Sequence, residues 1–398
     1  MPDRDHCLAL DAADPLREFR DEFVLPEGIV YLVGNSLGAL PRRTAERVRR
    51  TVEEEWGRRL VGGWNHDGWF TQPLTLGDRL APLIGAGPGQ VVVGNTTSIV
   101  IHQAVSAALR LRPERRVIVS DATNFPTDHY IVQGLAGALG GYEVRDLAEG
   151  RFDDAAVVLL SEVDYRTGAR QDVPEVTARA HAAGALIVWD LCHSVGAMEV
   201  DVSGADFAVG CTYKYVNGGP GSPAFLYVNP RHLADAENVL SGWHGHAEPF
   251  AFERDYRPAE GIRRFTVGSP HVLSSAALDA ALDVWERVPM AELRAKSVAL
   301  TSLFLDLVGD RLESATPADP ERRGSQVSLR HPDGYPVMRA LIDRGVHGDF
   351  RAPDILRFGF APLYTRHVDV WDAAATLADV LDKELWRDER YARRLPVT

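Results

Sequence analysis

The sequence predicts an α/β protein, with a mostly parallel sheet of about seven strands wrapped by helices and a smaller α+β unit after it. Two observations carry this. From Gln90 to Val228 short apolar runs rich in β-branched residues alternate with helical patterns. The runs are continuous, not alternating, as expected of strands buried on both faces. Beyond Pro270 the pattern changes to long helical stretches with a few short strands, which marks a second unit.

Taken in order, a helix is expected over roughly Pro15 to Phe23, followed by an extended stretch. Tyr31 to Pro41 (YLVGNSLGALP) reads as a short strand and a turn that brings backbone near a ligand. Pro41 to Glu55 is expected to be helical with Arg and Glu on its wet face. The loop Gly62 to Phe70 (GGWNHDGWF) has no clear period and serves either local packing or binding. The strands are expected at Val91–Val93, Val117–Val119, Tyr142–Val144, Val157–Leu160, Leu186–Trp189, Phe207–Val209 and Ala224–Val228. Ile99–Leu111 and Val173–Ala183 are among the helices between them. Leu273 to Leu307 reads as two helices joined near Pro289, and Gln326–Leu329 and Leu356–Phe360 as later strands. The division expected is an N-terminal segment, 1–45, contributing to the small domain, a large domain, 46–285, and a small C-terminal domain, 286–398.

At 398 residues the chain is long enough for two cores, and 45% apolar with 25% charged residues is ordinary for a soluble protein. A formal net charge of -13 with no basic stripe argues against nucleic acid as a partner. The three cysteines have neither zinc spacing nor the number for a disulfide framework, so no metal is expected and a cytoplasmic location fits. No apolar run reaches membrane-spanning length.

In open parallel sheets, ligands bind outside the carboxyl ends of the strands. After the first strand comes Gly94-Asn95-Thr96-Thr97-Ser98, leading into a helix: either a phosphate cradle or a plain N-cap. After the second comes DATNFPTDHY (121–130), with a flat ring, Phe125, and an acid, Asp128. Ser161 follows the fourth strand, and Asp190 and His193 follow the fifth; an Asp buried there demands a cation or several donors. After the sixth comes Tyr213-Lys214, then a Gly-rich turn. Lys214, among apolar and aromatic neighbours, is either an exposed turn lysine or an amine nucleophile or base. Together these are the parts that hold pyridoxal phosphate: a Schiff-base lysine, an acid for the ring nitrogen, a stacking ring and an anion site.

With those residues in view, the chain resembles kynureninase, of the fold type I, aminotransferase-like pyridoxal phosphate enzymes. The likeness runs from Tyr31 to Asp382 through GNSLG (34–38), NFPTDHY (124–130), SEVDYRTG (161–168), DLCHSVG (190–196), YKYVNGGPG (213–221), GWHGH (242–246) and DFRAPDILRFGFAPLY (349–364). The resemblance implies that Lys214 binds pyridoxal phosphate covalently, Asp190 pairs with its ring nitrogen and Phe125 stacks on the ring. It places Asp128 and His193 close to the cofactor, and Thr97, Ser98, Ser161 and Tyr213 at the phosphate. Trp243 and Ser269 look like phosphate contacts from a partner subunit, so a homodimer is expected. Arg357 looks like the arginine for the substrate α-carboxylate. The loop holding Trp64 and His66 lies near the substrate ring in that family, and Asn35 and Ser36 either touch substrate or cap a turn. The implied reaction, a step of tryptophan catabolism, is hydrolysis of the Cβ–Cγ bond of L-kynurenine, or its 3-hydroxy form, to anthranilate or 3-hydroxyanthranilate and L-alanine. Tyr213 is the first candidate for acid–base work at the γ-carbonyl. The rival readings are a cysteine desulfurase-like lyase or epimerase of the same fold, and a non-catalytic protein that keeps the cofactor fold. Desulfurases usually carry histidine before the lysine, where this chain has Tyr213.

Overall fold

A computed structural model describes residues 2–394. Its centre is a seven-stranded sheet: β1 (Val91–Val93), β2 (Val117–Ser120), β3 (Glu143–Asp146), β4 (Ala155–Ser161), β5 (Leu186–Asp190), β6 (Phe207–Gly210) and β7 (Phe225–Val228). The spatial order is β1-β7-β6-β5-β4-β2-β3, and β7 is antiparallel to both its neighbours while the remaining pairs are parallel. Every residue of β1, β2, β5, β6 and β7 is buried, which is why those stretches read as continuous apolar runs. Each of the seven expected strands is present within two residues of its place at either end.

Helices cover both faces, so the sheet divides the large unit's core in two. Leu76, Ile187, Trp189, Leu278 and Trp285 pack on one side, and Val105, Leu159, Val188 and Phe265 on the other. The second unit is a four-stranded antiparallel sheet, ordered β8 (Glu313–Ser314), β9 (Gln326–Arg330), β11 (Ile355–Gly359), β10 (Asp349–Arg351). Its core gathers Leu300, Phe304, Val327, Leu341, Phe358 and Leu377. The helical stretch after Pro270 is two helices, Val272–Trp285 and Met290–Val308. Leu293 belongs to the large core and Leu300 to the small one, so the changeover falls within Met290–Val308.

The N-terminal segment differs from expectation. Its α-helix is Arg4–Ala13, and the helix expected over roughly Pro15 to Phe23 is a six-residue 3-10 helix, Arg17–Glu22. The physical reason lies in two aspartates. Asp3 caps the helix by accepting from the His6 N–H at 2.8 Å, and Asp14 accepts from the Leu16 N–H at 2.9 Å, which turns the chain where a helix was expected to begin. The helix is tied to the small unit by Arg4–Asp372 (2.9 Å), His367–Asp11 (2.9 Å) and Lys296–Asp14 (2.6 Å). Leu16, Phe23 and Ala39 join the large core instead, so the first forty residues strap the two units together. Among the described residues no helix is long and apolar enough to cross a membrane.

Candidate active site

The carboxyl ends of β1, β2, β4, β5 and β6 converge on one cavity of about 460 Å³, closed from the other side by Asn35, Ser36, Arg351 and Arg357. That is the size of a pocket for a small organic ligand. Lys214 enters it from the loop after β6, and that loop is held on all sides. Gly38 donates its N–H to the Tyr213 carbonyl at 2.9 Å, Tyr215 donates to the Ser325 carbonyl at 3.0 Å, and Trp285 donates to the Val216 carbonyl at 3.0 Å. A Cβ on Gly38 would stand 2.2 Å from the Lys214 carbonyl oxygen, so the GNSLG turn needs glycine there.

Lys214 Nζ lies 2.8 Å from His193 Nε2. Burial, then the Lys214 charge, hold the His193 pKa well below the ordinary value, so the ring is neutral and accepts from the lysine. Its other nitrogen, Nδ1, is buried without a partner among the described residues. Two acids, Asp128 and Asp190, are almost fully buried beside each other. Burial first, then the Asp190 charge, push the Asp128 pKa well up, so Asp128 keeps its proton. Asn124 steadies it, donating to Asp128 Oδ2 at 2.8 Å. Asp190 accepts from the Cys192 N–H at 2.8 Å, has Ser161 Oγ 3.3 Å away, and makes no ion pair among the described residues. A buried carboxylate so placed is short of a cation, and the protonated nitrogen of a pyridine ring would supply one.

The anion end of the cavity is the start of the helix Thr97–Arg110. Asn95 is left-handed (φ 56°) and turns the chain so that Thr96 becomes the N-cap, yet the Thr96 side chain makes no capping bond. The first-turn N–H groups at Thr97 and Ser98 are thus free to receive a phosphate. Phe125 is edge-on to Tyr165, with centroids 5.3 Å apart, and offers its ring to the cavity. These residues fit pyridoxal phosphate at its aldehyde (Lys214), its ring nitrogen (Asp190), its ring face (Phe125) and its phosphate (Thr97 and Ser98). Ser161, expected with the phosphate contacts, sits beside Asp190 because β4 and β5 pair in register, and its hydroxyl donates to Asn124 Oδ1 at 2.7 Å.

Lys214, Tyr213, Asp190, Asp128, His193, Phe125, Thr97, Ser98, Ser161, Asn35, Ser36 and Arg357 therefore share one cavity. Trp64, His66, Trp243 and Ser269 do not. Trp64 packs against Trp243, ring centroids 6.0 Å apart, in an aromatic patch with Phe70 and Phe250. His66 is exposed at the end of the same short helix, Gly63–His66, where a loop was expected, and Ser269 lines a narrow cleft with Gly94 and Asn95. Sequence reasoning passed over Asn124, Tyr165, Asp349 and Arg351. The last two sat in the DFRAPDILRFGF segment, where i, i+2 spacing on a strand puts both on one face.

A family model described as the kynureninase C-terminal domain matches residues 293–377. The kynureninase of Burkholderia pseudomallei (strain 1106a) is 50% identical over all of this chain and all of its own length. That of Deinococcus radiodurans is 54% identical over 94% of this chain and 95% of its own. Among solved structures, the cystine C–S lyase C-DES with glycine covalently linked to its PLP cofactor superposes with a TM-score of 0.75 at 19% identity, covering 95% of this chain and all of that one. At that identity the likeness establishes the fold, type I, and nothing about substrate. The full-length relatives go further: the chain belongs to the kynureninase family.

Proposed function

We propose that this protein hydrolyses the Cβ–Cγ bond of L-kynurenine, giving anthranilate and L-alanine, with pyridoxal phosphate as its cofactor. The observation that carries the reading is the end-to-end identity with kynureninases, together with a cavity in which Lys214, Asp190 and Arg357 meet. Bound at Lys214, pyridoxal phosphate supplies the electron sink for charge developed at the substrate's Cα and Cβ. The chain does the rest. Thr97, Ser98 and Tyr213 hold the phosphate, Phe125 stacks on the ring, and Asp190 keeps the ring nitrogen protonated. Protonated Asp128 and Ser161 orient Asp190. Neutral His193 accepts a hydrogen bond from Lys214 and steers its amine, which takes the proton from Cα. Burial first holds the Tyr213 phenol above its ordinary pKa, so it stays a proton donor and serves the γ-carbonyl oxygen as water adds there. Arg357 binds the α-carboxylate, and Asn35 and Ser36 line its side of the site.

Trp243 and Ser269 act across a homodimer as contacts to the partner subunit's cofactor phosphate, and Trp64 and His66 serve the substrate ring. Support for the Trp243 side comes from its surroundings: Trp243 and Phe250 are exposed rings 5.9 Å apart, and exposed Phe252 lines a groove with Trp243. A cytoplasmic setting fits three unpaired cysteines. The desulfurase rival needs a reactive cysteine on a mobile loop, whereas Cys7, Cys192 and Cys211 are all buried. The test is direct. Purified protein with L-kynurenine should release fluorescent anthranilate and alanine in equal amounts, and no sulfide from cysteine; sulfide without anthranilate overturns the reading.

A further inference from the structure

The cavity holds a second arginine to which the chemistry above gives no task. Arg351 and Arg357 lie on the adjacent antiparallel strands β10 and β11, with Asp349 in register with Arg357. A guanidinium has five N–H donors. Arg357 has committed four of them: Nε to Asp349 Oδ1 at 2.6 Å, Nη2 to Asp349 Oδ2 at 2.5 Å and to Ser36 Oγ at 2.8 Å, and Nη1 to the Tyr165 carbonyl at 2.7 Å. Its side chain is 2% exposed. The edge with which an arginine grips a carboxylate is therefore already closed by one of the protein's own.

Arg351 is placed differently. Its side chain is 33% exposed, and its contact with Asp349 Oδ2 is a looser 3.2 Å. Nη1 donates to the Phe350 carbonyl at 2.9 Å, Nη2 is 3.5 Å from Ser36 Oγ, and Nε makes no hydrogen bond among the described residues. One carboxylate thus serves two guanidiniums, which leaves this wall of the cavity one positive charge in excess. Burial, then repulsion from Arg357, lower the Arg351 pKa, a cost that an incoming anion would relieve. Both arginines also bear on His193, the neighbour of Lys214, so they face the same end of the cavity.

We propose that Arg351 binds the α-carboxylate of the amino-acid substrate, forming with Arg357 a clamp of two guanidiniums. Asp349 and Ser36 fix Arg357 in place, and Arg351 supplies the donors that Arg357 has already spent on them. The inference rests on the kynurenine-cleaving reading of the site for its substrate, but its test is a ratio of affinities that does not need turnover. L-kynurenine and kynuramine, which is kynurenine without the α-carboxylate, are titrated into the holoenzyme and followed by the change in cofactor absorbance. Arg351→Gln should weaken kynurenine binding by roughly 30-fold and leave kynuramine within about twofold, since it loses a charged hydrogen bond to the carboxylate alone. Arg351→Lys, which keeps the charge but loses the fork, should fall between, and it serves as the readout if the Gln variant does not fold. A kynurenine-to-kynuramine ratio unchanged from wild type, or a parallel loss for both, overturns the proposal. Absence of anthranilate release by the wild type with the ratio still falling would instead refute the function and keep the clamp.

Discussion

The two ends of the parallel sheet treat a buried aspartate in opposite ways. At the amino end of β6, Asp206 is saturated: it accepts from Arg231 (2.6 Å), His232 (2.7 Å), His181 (2.8 Å) and the Ile187 N–H (2.8 Å). Burial raises its pKa, but these donors, His232 foremost, outweigh burial and hold it far below the usual carboxylate range. At the carboxyl end of β5, Asp190 has one backbone N–H, one long contact to Ser161, and a second acid, Asp128, beside it. The first arrangement is complete and pins Arg231, His232 and His181 to the sheet. The second is left short of a cation on the very rim where Lys214 stands. An aspartate that the fold fully satisfies is structural, and one that it leaves short is waiting for a ligand.

The comparison breaks most sharply if Asp190 proves structural. Asp190→Asn should cut kynurenine turnover by at least about 10²-fold, because the ring nitrogen loses its counter-charge, while Tm stays within a few degrees of wild type. A large loss of Tm with turnover retained by the folded fraction would put Asp190 in the same class as Asp206. Asp206→Asn should do the reverse. It leaves Arg231 and the two histidines without their anion and should cost about 2 kcal/mol, a few degrees of Tm, with kcat unchanged in the folded protein.

The smallest effect concerns pH, where the two ends have opposite signs. Asp206 titrates lower in the folded than in the unfolded state, so its stabilisation is present above the unfolded pKa of 3.8 and is lost as pH falls through the folded value. Asp128 titrates higher when folded, so its contribution is greatest below 3.8 and declines as pH rises toward the raised value. Thermal melts across acid pH should show Asp206→Asn losing the first slope and Asp128→Asn the second. Asp128→Asn should also keep turnover within about tenfold, because an amide replaces a carboxyl that was already neutral. If Asp128→Asn melts parallel to wild type at every pH, Asp128 is not the protonated member of the pair.

How much of this was legible in the sequence follows from the range of the interactions. Strands β1, β2 and β4 to β7 were readable because burial on both faces leaves a nearly unbroken apolar run, a local signature, whereas the edge strand β3 (EVRD) is half-exposed and carries only a weak one. Lys214, Asp190, Phe125 and Thr97 could be gathered without coordinates because the carboxyl ends of parallel strands share one rim. The Arg4–Ala13 helix was not readable: only Cys7 of its ten residues is buried, so it has almost no apolar stripe, and its start depends on the Asp3 cap. The commitment of Arg357 to Asp349 was equally hidden, since it depends on the β10–β11 register. The meeting of Trp64 with Trp243 joins two short helical turns far apart in sequence, which no periodicity records.

The central claim is that Lys214 carries the cofactor. Holoenzyme reduced with borohydride and digested should yield one cofactor-bearing peptide, modified at Lys214, and Lys214→Ala should yield none. A label on any other lysine, or an unlabelled Lys214 in fully active enzyme, would contradict the account.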